Sequence, residues 1–202
     1  MDSPSHFWGR RMTFTPLSLR PWLMVLALAC PLWTLAGDVH YNQMDIHRDG
    51  RDKLVFSMSL NLTHLLHQVL APQTPLADFL KLHAELSDKA LQAAIDKAST
   101  QLGDKSSMLL PTGGKVSIRQ WQLPPLVALR EALKAHAFLL EMPSAIPVHV
   151  PPMRVQAHGL SKSPFSRAQL QVHKALHPLW VIQQQDQFWL TDQIPLAIVN
   201  FE

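Results

Sequence analysis

Residues 153–201 read MRVQAHGLSKSPFSRAQLQVHKALHPLWVIQQQDQFWLTDQIPLAIVNF, and this stretch decides the fold class. Val155 with Ala157 and Leu170 with Val172 alternate with polar residues, the period of a strand with one buried face. Pro164, Pro178 and Pro195 separate or edge the segments, because proline has no N–H to give to a ladder. Strands are expected over about 153–158, 167–173, 179–183, 187–190 and 195–201, with another over about 146–150, where Val148 and Val150 alternate. Trp180, Phe188 and Trp189, followed by Leu190, Ile194, Leu196, Ile198 and Phe201, read as core or interface residues of that sheet.

Upstream of it, helical spacing dominates. Pro124 and Pro125 open a helix whose stripe is Leu126, Leu129, Leu133, Ala137 and Leu140, with Arg130, Glu131 and Lys134 toward water. Asn61 caps a short helix carrying Leu62, Leu65, Leu66 and Val69, and Thr74-Pro75 starts another with Leu76, Phe79, Leu80 and Leu82 on one side. Ser87 caps a separate helix with Leu91, Ala94, Ile95, Ala98 and Leu102, closing at Gly103. Two hairpins complete the pattern. Strands at about 39–47 and 53–60 flank Asp49-Gly50, and Met108–Leu110 faces Val116, Ile118 and Trp121 across Thr112-Gly113-Gly114. The order implies an α+β fold: one domain over 37–202, an antiparallel sheet or small sandwich with three to four packed helices, and a composition break near Pro143.

The first 36 residues read differently. Arg20 precedes an apolar run from Trp22 to Ala36 with small residues at Thr34, Ala36 and Gly37, the layout of a cleavable signal peptide cut after Ala36. Met12 begins a compact leader of its own, and Arg10-Arg11 does not match the twin-arginine pattern because Phe14 stands one place late. The only cysteine, Cys30, falls inside the run, so the mature chain is cysteine-free and has neither a disulfide nor a thiol nucleophile. Removing Arg10, Arg11, Arg20 and Asp2 takes a chain of net charge +3 close to neutrality. No basic run interleaved with aromatics appears, so nucleic acid is not an expected partner, and no second apolar stretch is long enough to span a bilayer. The expected location is the periplasm, or outside the cell.

Histidine carries what chemistry the chain displays. Ten of the eleven lie beyond the leader, and a thiol-free exported protein that binds copper, nickel or zinc must use imidazole. The candidate ligands are His64 with His67, three apart on a helix, His173 with His177, four apart, and His40. A cut after Gly37 would place His40 third from a free amine, a square-planar nest for Cu(II) or Ni(II). A zinc site needs three or four converging ligands, and neither pair has a third in sequence. Asp45 to Asp52 departs from a calcium loop, since Phe56 stands where the bidentate Glu belongs. Thr112-Gly113-Gly114-Lys115 departs from a phosphate loop, since Val116 replaces the hydroxyl residue.

No Gly-x-Ser-x-Gly elbow or Ser-x-x-Lys pair joins the serines to the histidines and acids, among which Asp186, Asp192, His173 and His177 are the set to watch. The expectation is an exported bacterial envelope protein, a non-enzymatic binding or assembly module with a protein partner. The alternatives are a periplasmic metal-handling protein and a hydrolytic enzyme.

Overall fold

The structure, a computed structural model, describes residues 42–50, 52–142, 150–162, 164–184 and 186–201, all within the unit His40–Glu202. The leader, His40 and all but Val150 of the strand expected at 146–150 lie outside the described residues.

Among the described residues nine strands form: β1 (Asn42–Asp49), β2 (Lys53–Leu60), β3 (Ser107–Leu109), β4 (Lys115–Gln122), β5 (Met153–Leu160), β6 (Arg167–Gln171), β7 (Leu179–Gln183), β8 (Asp186–Leu190) and β9 (Leu196–Asn200). The helices are α1 (Leu62–Leu70), α2 (Leu76–Ala84), α3 (Asp88–Asp104) and α4 (Leu126–Glu141). Their positions follow the sequence pattern, but the expected α+β architecture, a small antiparallel sheet or sandwich, is not what they build. All nine strands join one mixed sheet in the order β8-β7-β1-β2-β5-β4-β3-β6-β9, and the two edge strands approach each other, so the sheet curls into a nearly closed barrel. The correction has a specific cause. β1 pairs antiparallel with β2 on one side and parallel with β7 on the other, which welds the first hairpin to the last third of the chain. A sandwich would have left those groups in separate sheets.

One face of the curled sheet makes the core. Met44 lies beside Met58 and Val181, Phe56 beside Ile46 and Ala157, and Met108 between Val116 and Leu170, all fully or almost fully buried. Phe56 fits because β5 offers only Ala157 and Gly159 beneath it: a Cβ on Gly159 would stand 2.9 Å from Val116 Cγ1 and 3.2 Å from Phe56 Cε2. At one end Arg48 lies over the rings of both Phe165 and Phe201, at 4.9 and 5.0 Å, and donates to the Phe165 carbonyl, tying β1 to the segments that flank β6 and β9.

β4 departs from strict alternation. Arg119 opposes His158 and Gln122 opposes Gln156, so two residues of β4 lie opposite Ala157 alone, a bulge, and Gln120 takes a φ of 53° to make it. The bulge explains why Ile118 and Trp121, three apart, both pack toward the core.

α1 sits among the other helices and touches α2, α3 and α4. Its cap is Asn61, whose side chain accepts from the His64 N–H at 3.2 Å and from Thr63 Oγ1 at 3.1 Å, while its own N–H donates to Asn42 Oδ1. Asn61→Ala is expected to lower stability by about 1 kcal/mol, read by urea titration, and no loss would show that water replaces the cap. α3 buries Leu91, Ile95, Ala98 and Leu102 as its spacing requires. It does not stop at Gly103. That glycine lies inside the last turn, where a Cβ would come within 3.2 Å of the Ile118 carbonyl, so close approach to β4 explains it better than a cap does. Two stripe residues are also reassigned: Leu82 is 61% exposed and Leu140 39%, and His136 takes a core place on α4 instead. No helix among the described residues is long and apolar enough to cross a membrane.

Candidate ligand-binding site

After β6 the chain passes through Val172 to His173, whose Nδ1 accepts from the Ala175 N–H at 3.0 Å and caps a single 3-10 turn, Lys174–Leu176. Leu176 is wholly buried, and its carbonyl accepts from Asn42 Nδ2 at 2.8 Å, so the start of β1 holds the turn in place. The His173 backbone N–H donates to Ser106 Oγ at 3.1 Å. His177 follows at the foot of β7. The β8–β9 loop, closed by reciprocal backbone bonds of 3.1 Å between Thr191 and Ile194, brings Asp192 to it.

These segments wall a cleft of about 590 Å³ with Asp104 and Lys105 from the end of α3, Ser107 from β3, Lys115 from β4 and Gln171 from β6. His177 Nδ1 lies 2.9 Å from Asp192 Oδ1, and a carboxylate only accepts, so Nδ1 carries a proton. Its side chain is 6% exposed, yet Nε2, a bare acceptor in the neutral ring, is buried with no hydrogen-bond partner. His177 lines the cleft, so a ligand hydroxyl that displaces the side chains over Nε2 would satisfy that acceptor. Three lysines face two aspartates in the lining, and the field is visible in His173, whose pKa is lowered by burial first and then by Lys105, Lys174 and His177.

A second histidine group lies among α1, α2 and α4. His64 and His67 have ring centroids 6.2 Å apart, and His67 packs edge-on against Phe79, which in turn stacks on His83 at 3.9 Å. His67 Nε2 donates to the Thr74 carbonyl at 2.6 Å, leaving a buried Nδ1 without a partner. His136 Nδ1 meets Thr63 Oγ1 at 2.8 Å, and since the one hydroxyl hydrogen is directed at Asn61, the ring nitrogen is the donor. Burial lowers the pKa of both His64 and His136, and the nearby imidazoles of His67 and His64 respectively add to it, since two neighbouring rings resist carrying charge together.

The candidate ligands for copper, nickel or zinc therefore form two separate groups: His64 with His67 in the helical layer, His173 with His177 at the cleft. Among the described residues no set of three or more His, Cys, Asp or Glu side chains is arranged to hold a metal ion. His40 lies outside the described residues. Of the acids, Asp192 meets His177 and Asp186 does not reach the cleft lining. Lys105, Lys115 and Lys174 carry no sequence signal, because each is an isolated cation and Lys174 comes from a segment about sixty residues beyond the other two. Trp180 and Trp189 pair across β7 and β8 with ring centroids at 4.6 Å, both partly exposed. Comparison with known protein families, with curated proteins and with solved structures finds no match for this chain.

Proposed function

We propose that the protein is an exported, non-enzymatic binding module of the cell envelope, and that its ligand is a small hydroxylated anion held in the cleft beside His177. The observation that carries this reading is the orphaned, buried Nε2 of His177, whose ring is oriented by Asp192 and whose surroundings are supplied with three lysines. A hydroxyl that displaces the side chains covering Nε2 donates to it while a carboxylate on the same molecule sits among the ammonium groups, so each half of the ligand answers one half of the cleft. The export half of the reading rests on the Trp22–Ala36 leader.

No nucleophile is positioned against His177 by any hydrogen bond among the described residues, which favours binding over hydrolysis. Galacturonate, a hydroxy acid, is a suitable probe. Calorimetric titration is expected to give saturable binding that weakens with added salt, and His177→Gln or Lys174→Ala is expected to weaken it about tenfold, the worth of one charge-assisted contact. Lys174 is exposed, so its loss leaves folding untouched. Absence of saturable binding, or equal affinity in both variants, overturns the reading.

A further inference from the structure

The cleft does not end at Lys115. That residue also lines a second concavity of about 300 Å³ on the outer face of β4 and β5, walled by Ser117, Arg119, Gln120, His158 and Leu160. Lys115, Ser117 and Arg119 are alternate residues of one strand and share that face. Four residues of strand place the two cations roughly 13 Å apart along it. Arg119 lies in register with His158, whose Nδ1 is another buried ring nitrogen without a partner. The second concavity has no acid in its lining, and among the described residues none of Lys105, Lys115, Arg119 and Lys174 forms an ion pair.

We infer that the two concavities form one extended site for an acidic oligosaccharide, with one carboxylate in the His177 cleft and another on Arg119. This rests on the reading of the cleft given above and deepens it. Guanidinium takes a carboxylate through two parallel hydrogen bonds, so Arg119 recognises a planar acid in a way a lysine would not. Ser117 stands between Lys115 and Arg119, Gln120 follows Arg119 and Gln171 lies in the cleft, hydroxyl and amide groups matched to sugar hydroxyls. A single-stranded nucleic acid of the same charge would need aromatic platforms on which to stack its bases, and neither lining contains Phe, Tyr or Trp. Past the bulge at Gln120 another concavity, of about 400 Å³, opens between Arg119, Gln120, Trp121 and the end of α3, and Asp104 in its lining disfavours a further carboxylate there.

The test uses the folded full chain and galacturonate oligomers of increasing length, with calorimetry as the readout. Affinity is expected to rise by about tenfold or more once the oligomer is long enough to reach from the cleft to Arg119, because the second contact is then intramolecular. Arg119→Ala removes that rise and Arg119→Lys restores only part of it. Arg167→Ala, which deletes an exposed cation of β6 outside both linings, leaves it in place. If galacturonate binds but the longer acids bind no tighter, or if Arg167→Ala matches Arg119→Ala, the extended site is wrong and the cleft reading survives. If galacturonate itself does not bind, both fall. An oligothymidylate binding as tightly as the longest sugar acid would also overturn the assignment of ligand class.

Discussion

Phe56→Ala is expected to destabilise the protein by about 3–5 kcal/mol, the usual cost of emptying a fully packed aromatic site. The ring has no exposed surface and touches β1, β5 and the residues around Gly159, so the hole cannot collapse without moving three strands. The complementary change works from the other side. Gly159→Ala adds one methyl 2.9 Å from Val116 Cγ1, closer than carbon atoms tolerate, and 3.2 Å from Cε2 of the packed Phe56 ring, so two core side chains must shift to admit it. It is expected to cost about 1–3 kcal/mol, less in a Val116→Ala background because the clash is then relieved. Urea unfolding of the single and double variants measures both terms. A cost below about 1 kcal/mol for Phe56→Ala, or strict additivity of the Gly159 and Val116 changes, would mean that the ring is not the keystone of the curled sheet.

Acid is expected to be the second large lever on stability. His136 and His173 are each 5% exposed and burial lowers the pKa of both below the ordinary histidine value near 6.5. The folded state therefore binds fewer protons than the unfolded chain once the pH drops under about 6.5. Stability from this source is complete above that pH, is lost as the pH falls from the unfolded value to the depressed folded one, and changes no further below it. In the steepest part the loss is about 1.4 kcal/mol per pH unit for each histidine. Urea midpoints between pH 8 and pH 5 should fall accordingly, and His136→Gln should flatten the curve by one proton's share. A level profile, or an unchanged slope in the variant, would contradict buried neutral imidazoles. Ion pairs do little to offset the effect, since Lys53 with Asp49, Lys81 with Glu141 and Lys134 with Glu131 are exposed.

Local structure was legible residue by residue wherever a side chain acts on its own neighbourhood. Asn61 and Ser87 cap α1 and α3 through bonds to the N–H three residues on. The alternation of Leu54, Phe56, Met58 and Leu60 buries that face of β2. The misassignments have the opposite origin. Leu82 and Leu140 fit a helical stripe in spacing but reach past the edge of the layer, and His136 enters the core because Thr63 on another helix supplies a partner for its ring. Trp121, three residues after Ile118 and so off the strand's alternation, packs toward the core because the bulge at Gln120 shifts it there.

The candidate site divides the same way. His173 and His177 were visible as a pair at helical spacing, but the spacing had no causal part, since the turn between them is 3-10 and His173 caps it. What gives His177 its chemistry is Asp192, delivered by the β8–β9 loop, and the lysines delivered by α3, β4 and the 3-10 turn. Each is an ordinary polar residue in its own segment. Periodicity carries no record of which segments will meet.

The amino-acid sequence alone therefore determined the elements: the four helices and nine strands of the described residues stand where caps, prolines and apolar spacing put them, because these features depend on residues within a few positions of one another. Only the tertiary structure decided that β1 lies parallel to β7, that all nine strands share one curled sheet, and that a histidine with a buried, unpaired ring nitrogen lines a cleft with three lysines. Pairing between segments more than a hundred residues apart is chosen by the packing of whole faces, with Phe56 over Ala157 and Gly159 as the clearest instance, and no short stretch of chain contains that information.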